Sequence, residues 1–546
     1  MTRPNMSVVC LASLALSLAS LNGCGGGGSS DPGSPTASLS ANPAAIQKGK
    51  SSTLVWNTTN ATTVSISGIG NVAASGSQQV TPTTDTTYTL TATGVGGTQT
   101  TAQAAVAIQK IQHVVVIVQE NRTPDNLFQD PNLIARGADI QNYGYNSQGT
   151  KITLSPLTLQ TSYDLSHSHS SFLAMYDSGK MDGADKIPVI CNQCGPPPPP
   201  SNPQFQYVIA SDVAPYFQMA ETYTFGDRMF QTNQGPSFPS HQFIISGTAA
   251  PTPPGDQYSD WFAAENPQGV PSAGGNTGCT APLQEFVELI DPSGNESTAY
   301  NRGFPCYDHP TLTDLLDSNQ ISWRYYAPTA GSLWTAPNAV KHICVPNSAG
   351  TLCTGSDWTN SVVLNRTQVL TDIANNQLSS VSWVIPDGKH SDHAQENDGS
   401  GPSWVASVVN AIGSGPYWAN TAIIITWDDW GGWYDHVPPN ILNYYEFGFR
   451  VPLIVVSPYA KPAHISHQVN DFGSILKFIE ETFALPTVAP GASPPYVDAL
   501  GSSISGDLSD CFDFRQNPLT FQTIIAPLDA KHFLEDKSPP SPPDND

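Results

Sequence analysis

Charge is what this chain has least of. Asp, Glu, Lys and Arg make up 12% of its residues, about half the share usual in globular proteins. The shortage falls on the cations: 21 Lys and Arg stand against 45 Asp and Glu, for a net charge of −24. Such a surface repels polyanions, which argues against nucleic acid as a partner and against docking on anionic membrane by charge. A small phosphate-bearing ligand is not excluded, because one bound cation reverses the field locally. Long apolar runs are also missing. The longest, Val8 to Ala19, is too short to span a bilayer as a stable helix. Cys191 and Cys194 lack a second Cys/His pair at matching spacing, so a disulfide is expected there rather than a zinc site.

The N-terminus reads as a processing segment. Arg3, the apolar run, then Leu21-Asn22-Gly23-Cys24 and a Gly/Ser tract resemble a bacterial lipoprotein signal over 1–24. In that reading Cys24 carries the lipid and anchors an exported cell-envelope protein; the alternative is an ordinary signal peptide cleaved nearby. Seven cysteines lie beyond Cys24, and an exported chain can oxidise them. Pairs 279–306 and 344–353 close modest loops, and the odd count leaves at least one thiol unpaired or intermolecular.

At 546 residues the chain is long enough for two to four domains. Residues 25–37 are a Gly/Ser/Pro linker. Over 38–108, short alternating runs such as Ser52 to Trp56 and Tyr88 to Ala92 are separated by turn residues, the pattern of a small β-sandwich. Its phrases resemble a bacterial Ig-like domain, read as a spacer. From His113 the texture changes to continuous β-branched runs at 113–118, 243–247, 321–326, 381–386, 421–427 and 451–456. Such runs suit strands buried on both faces. Helical patterns at 311–316, 403–412 and 472–483 alternate with them, which predicts an α/β domain with a mostly parallel sheet over 109–527. Residues 528–546 read as a C-terminal tail, disordered from 536.

Open α/β sheets bind ligands beyond the carboxyl ends of their strands. Glu120, Asn121 and Arg122 follow the first run; Asp428 and Asp429, then Gly431, Gly432, Asp435 and His436, follow the run at 421–427. Asp387, His390, Asp392 and His393 follow the run at 381–386. Oxygen-rich groups with some imidazole suit a hard or borderline divalent cation. Each piece alone could be a turn or a cap. Their joint placement after buried strands carries the argument, because burying charge without a partner is costly.

The segments "HVVVIVQENRTPDNLF", "DRMFQTNQGPSFPSHQFIISG", "WVIPDGKHSDH", "WDDWGGWYDHVPP" and "GFRVPLIVVSPYAKP" resemble, in order, the motifs of the bacterial phosphoesterase family that includes phosphatidylcholine-type phospholipases C and a secreted acid phosphatase. The resemblance implies an alkaline-phosphatase-like fold and a divalent metal (Ca, Mn, Mg or Zn) held by Glu120, Asn121, Asp428, Asp429 and Ser237. It implies Ser237 as the nucleophile, His393 as a phosphoryl contact, and His167 as a second one, with His169 close enough to compete for that role. Asn121 would also donate to a phosphate oxygen. Pro124, Asn126 and Ser240 depart from the family pattern without removing a proposed ligand.

A Ser hydroxyl needs activation near neutral pH, which a cation at that site would supply. The expected reaction is hydrolysis of a phosphodiester or phosphomonoester, such as a phospholipid headgroup, through a phosphoseryl intermediate. Thr123 is a rival hydroxyl, though one placed to cap a helix. His309 and His436 are weaker candidates, the latter as a support for Asp428. Two alternatives stand: a sulfatase, which would need an Arg that "GPSFPSH" lacks, and an inactive or accessory surface-binding lipoprotein.

Overall fold

The computed structural model describes residues 33–543 except 43, 47–49, 109, 192–197, 270–276 and 297–300. The expected signal peptide, Cys24, the linker's first residues and Cys194 lie outside the described residues. The chain divides into two compact units, the first ending at Ala107 and the second running from Ile108 with the short segment Ala45–Lys50 assigned to it. The first is all-β. One antiparallel sheet joins Thr36–Asn42, Ser52–Thr59 and Ser75–Val80; another joins Gly70–Val72, Thr63–Ile66, Thr86–Thr93 and Gln99–Ile108. Alternate residues of these strands, among them Leu54, Trp56, Val64, Ile66 and Leu90, are buried, as the period of two requires.

The second unit is built on an eight-stranded sheet. Its strands are β1 (His113–Gln119), β2 (Thr224–Gly226), β3 (Trp323–Ala327), β4 (Val362–Leu364), β5 (Val381–Val384), β6 (Thr421–Trp427), β7 (Leu453–Val456) and β8 (His464–Ser466), in spatial order β4-β3-β5-β1-β6-β7-β2-β8. Seven run parallel and β7 runs against them. All seven residues of β6 are buried, as are Val114 to Val118 of β1, so continuous β-branched runs replace alternation at the sheet centre. Among the helices are α1 (Ala210–Thr222), α2 (Ser237–Ser246), α3 (Gly401–Gly413) and α4 (Phe472–Phe483). Among the described residues no helix is long and apolar enough to cross a membrane.

Two expectations need correction. The apolar run 243–247 is no strand: it is the end of α2, which Gly247 terminates in the left-handed conformation at φ 73°. Every residue of α2 is buried, so no polar face marks the helical period. Pro239 sits in its first turn, where the missing N–H has no intrahelical acceptor anyway. Nor is the chain from 536 onward disordered as far as it is described. Asp536 pairs with Arg366 and Lys389, and Ser541 N–H donates to Asp387 Oδ2 at 3.0 Å. The expected disulfides 279–306 and 344–353 form, Cys191 is disulfide-bonded, and Cys511 is a buried free thiol.

Behind the strand ends a buried ion network ties three loops together. Arg450 donates twice to Asp435 (2.9 Å each), to Asp125 (3.4 Å), and to the carbonyls of Asp139 and Asp227. His436 sits in this network, against Asp125 (2.7 Å) and Asp139 (3.0 Å), and not behind Asp428 as expected. Asp125, Asp435 and His436 are grouped closely enough to hold a metal ion, but the guanidinium already compensates the carboxylates. Removing one partner of a buried pair is strongly destabilising. Arg450→Met is therefore expected to lower unfolding stability by about 3–5 kcal/mol, measured by urea denaturation; a loss below about 1 kcal/mol would reduce the network to a surface-like pair.

Candidate active site

The site forms where β1 and β6, adjacent and in register (Gln119 opposite Trp427), both end. Glu120 and Asn121 leave one strand, Asp428 and Asp429 the other, and all four are fully buried. The two ends are locked together: Asp428 Oδ1 accepts from the backbone N–H of Asn121 (3.1 Å) and of Asp429 (2.7 Å). Asn121 adopts a left-handed backbone, φ 59°, a conformation Asn tolerates better than most residues. The chain passing opposite must be glycine. A Cβ on Gly431, itself at φ 63°, would stand 2.4 Å from Asn121 O, and one on Gly432 would stand 2.5 Å from Leu165 Cβ.

Ser237, the first residue of α2, brings its hydroxyl to this pair of strand ends. Oγ donates to Asp429 Oδ2 at 3.0 Å and lies 3.4 Å from Asn121 Oδ1. The other end of the Asn121 amide donates to His167 Nε2 (3.1 Å), while His167 Nδ1–H donates to Leu165 O (3.0 Å). The His393 ring lies 5.8 Å from that of His167 and 5.9 Å from Trp334, and its Nδ1 donates to Ala394 O. Among the residues expected at the site, Glu120, Asn121, Asp428, Asp429, Ser237, His167 and His393 thus stand in one connected group. His169 points elsewhere, pairing with Glu296 at 2.8 Å. Thr123 caps the following helical turn, accepting from Asn126 N–H and donating to Tyr434 O. His309 is buried against Ala250 O. Arg122 and Asp392 are scaffold: the guanidinium donates twice to Asp392 O, and the carboxylate accepts from Tyr216 and Trp427.

One residue of the site escapes the sequence reading. His241 lies one helical turn after Ser237 in α2, and its Nε2 is 3.4 Å from Glu120 Oε1 and 3.8 Å from Asp428 Oδ2. The spacing i, i+4 puts two side chains on one helix face. That signal is present in the sequence, but reading 243–247 as a strand hides it.

Glu120, His241 and Asp428 offer three ligand atoms all within 4.8 Å of one another. Both Glu120 oxygens, Asp428 Oδ2 and both His241 nitrogens are buried without a hydrogen-bond partner. Burial, then the charge of Asp428, pushes the Glu120 carboxyl well above its ordinary range, and the same two causes do so for Asp429. Burial pushes His241 down to about 4. Like-charged carboxyls stacked in a dry site, with lone pairs left over and a neutral imidazole among them, fit a divalent cation. Its binding would displace the proton that burial favours on Glu120.

A mostly parallel sheet whose strand ends hold a buried acid–imidazole cluster beside a hydroxyl defines an α/β protein compatible with a divalent metal centre. The chain belongs to the Phosphoesterase family, whose model matches residues 111–486. It is 26% identical over 468 residues to the hemolytic phospholipase C of Pseudomonas aeruginosa, covering 75% of this chain and 56% of that protein. With the non-hemolytic phospholipase C of the same organism it shares 23% identity over 497 residues, covering 79% and 63%. The chain thus spans less than two thirds of the length of either relative. A solved protein of the alkaline phosphatase superfamily from Vibrio parahaemolyticus superposes with a TM-score of 0.31 at 9% identity, over 74% of this chain and 71% of that one.

His241→Ala is expected to weaken divalent-ion affinity by at least about 10–100-fold, the cost typical even one layer outside a metal site, as read by competition with a fluorescent chelator. At any pH above the ordinary carboxylate range, where its raised pKa makes Glu120 cost stability, Glu120→Gln should raise the melting temperature of the chelated protein while cancelling the rise that divalent ions give the wild type. A lower melting temperature in the chelated variant would reject the cation reading.

Proposed function

We propose that this chain is a metal-dependent hydrolase of phosphoesters, acting through Ser237. The observation that carries the reading is the Ser237 hydroxyl, 3.0 Å from Asp429 and beside the uncompensated Glu120–Asp428–His241 cluster. Glu120, Asp428 and His241, with Asp429 and Asn121 at its edge, would hold a divalent ion. The chemistry such an ion supplies is Lewis acidity, which favours an ionised hydroxyl and polarises a phosphoryl oxygen.

The remaining work falls to the chain. Asp429 Oδ2 accepts the hydrogen bond of Ser237 and aims its Oγ. Attack forms the Oγ–P bond and expels the alcohol; water then cleaves that bond, releasing phosphate or a phosphomonoester and restoring the hydroxyl. The tautomer of His167 is set by Leu165 O, so Nε2 holds the Asn121 amide in place. That amide, once substrate enters, is placed to donate to a phosphoryl oxygen. His393 is assigned to the same oxygens or to protonating the leaving alcohol. Phospholipid headgroups are the favoured substrate, by analogy with relatives named phospholipase C, and the lipid anchor expected at Cys24 would hold the enzyme beside them.

The test is p-nitrophenol release from its phosphate and phosphorylcholine esters, with and without chelator. Turnover should require a divalent ion and fall on the order of 10⁴-fold or more in Ser237→Ala. Activity surviving that substitution would remove Ser237 as nucleophile, and the preferred ester separates monoester from diester hydrolysis.

A further inference from the structure

The C-terminal segment reaches the loop that carries His393. Helix Ala530–Glu535 buries Phe533 against Trp404 (ring centroids 5.3 Å) and His390 (5.5 Å). Asp536 then pairs with Arg366 (3.1 Å) and Lys389 (3.3 Å). Beyond Lys537 the chain continues as Ser538-Pro539-Pro540-Ser541-Pro542-Pro543. Four prolines hold such a segment extended with little entropy left to lose on docking. They also leave only two amide N–H groups in it, and both are used. Ser538 N–H donates back to Asp536 Oδ1 (2.8 Å), and Ser541 N–H donates to Asp387 Oδ2 (3.0 Å).

Ser541 grips the turn at two further points. Its hydroxyl accepts from Lys389 N–H at 2.7 Å and its carbonyl from Gly388 N–H at 3.4 Å. The approach is so close that a Cβ on Gly388 would stand 2.7 Å from Pro542 O. From the turn the chain of bonds runs inward. Ser391 Oγ donates to Gly388 O (2.8 Å) and accepts from His393 N–H (3.1 Å). Arg366 closes the other side, 3.4 Å from Asp387 Oδ2. A segment some 150 residues downstream therefore sets the backbone two bonds away from His393.

We propose that residues 536–543 are a positioning strap of the active site, in which Ser541 holds the 387–391 turn and thereby sets the place of the His393 ring. The proposal rests on the assignment of His393 to the phosphoryl oxygens or the leaving alcohol. Ser541 and Asp536 are positioning residues, not catalytic ones. Ser541→Pro is the direct probe: it removes the amide donor and the hydroxyl but keeps an extended chain among prolines that already favour it. Gly388→Ala attacks the same contact from the turn side, by collision with Pro542 O. Ser541→Ala, which keeps the N–H, serves as the conservative partner.

In the full-length protein, Ser541→Pro and Gly388→Ala should lower kcat about tenfold or more with KM nearly unchanged, since displacement of a catalytic group by about 1 Å can cost 10²-fold. Ser541→Ala should restore most of it. In a His393→Ala background Ser541→Pro should cost nothing further, because groups acting through one residue are not additive. Hydrogen–deuterium exchange of 388–393 should rise in Ser541→Pro, with the melting temperature and divalent-ion affinity held. Unchanged exchange over 388–393 overturns the proposal whether or not the protein is active. So does a loss in the His393→Ala background equal to that in the wild type, or a kcat that stays at the wild-type level. Wild-type protein inactive on every ester with every divalent ion, but showing the exchange change, would instead sink the functional reading and leave the strap as a structural contact.

Discussion

Three carboxyls, Glu120, Asp428 and Asp429, are buried side by side, and the electrostatics of that cluster govern everything built around it. Among the described residues no Lys or Arg pairs with Glu120 or Asp428; the basic group within ion-pair distance of them is His241, whose own protonation burial opposes. Burial favours the neutral form of Glu120 and Asp429, and a divalent cation would offset their charge. Elsewhere the chain compensates its buried acids differently. Arg450 neutralises Asp435 and Asp125, and Arg366 with Ser541 N–H serves Asp387. The contrast separates the site from the scaffold. At these two sites an arginine compensates the acids, whereas none reaches Glu120 or Asp428 among the described residues.

The surroundings keep that cluster in register. Adjacent parallel strands β1 and β6 bring Glu120–Asn121 and Asp428–Asp429 to one level, and backbone N–H groups fix Asp428 Oδ1. The glycine pair 431–432 lets two loops pass at backbone distance. Arg122 joins the end of β1 to the loop after β5 through Asp392 O. The proline-rich strap braces that same loop from outside. The site is thus held from the sheet below, the glycine crossing beside it and the strap behind.

Much of this is legible from residues. The β-branched runs at 113–118 and 421–427 suit central strands, and carboxylates following such strands stand at the sheet's rim. The run at 243–247 misleads for a definite reason. α2 is buried on every side, so its sequence lacks the polar face that marks helical period, and Ile-Ile resembles a strand. With the helix goes His241. The proline tail misleads because composition reports only that a segment has no core of its own. It does not report that a distant turn supplies an acceptor for the Ser541 amide and donors for its hydroxyl and carbonyl.

Local pattern was enough for the centre of the sheet and for the strand ends that carry Glu120, Asn121, Asp428 and Asp429, but not for the short strands at 224–226, 362–364 and 464–466. Runs of apolar residues mark the strands, motif resemblance picks out the serine, and sheets bind ligands at their carboxyl ends. Which buried acids are neutralised and which are left open became visible only with the chain folded. Folding placed His436 with Arg450, turned His169 toward Glu296, and drew Ser541 against the turn before His393. These outcomes depend on distances of a few ångströms between segments far apart in the chain. Charge pairing and close packing act over that range, and no local pattern encodes it.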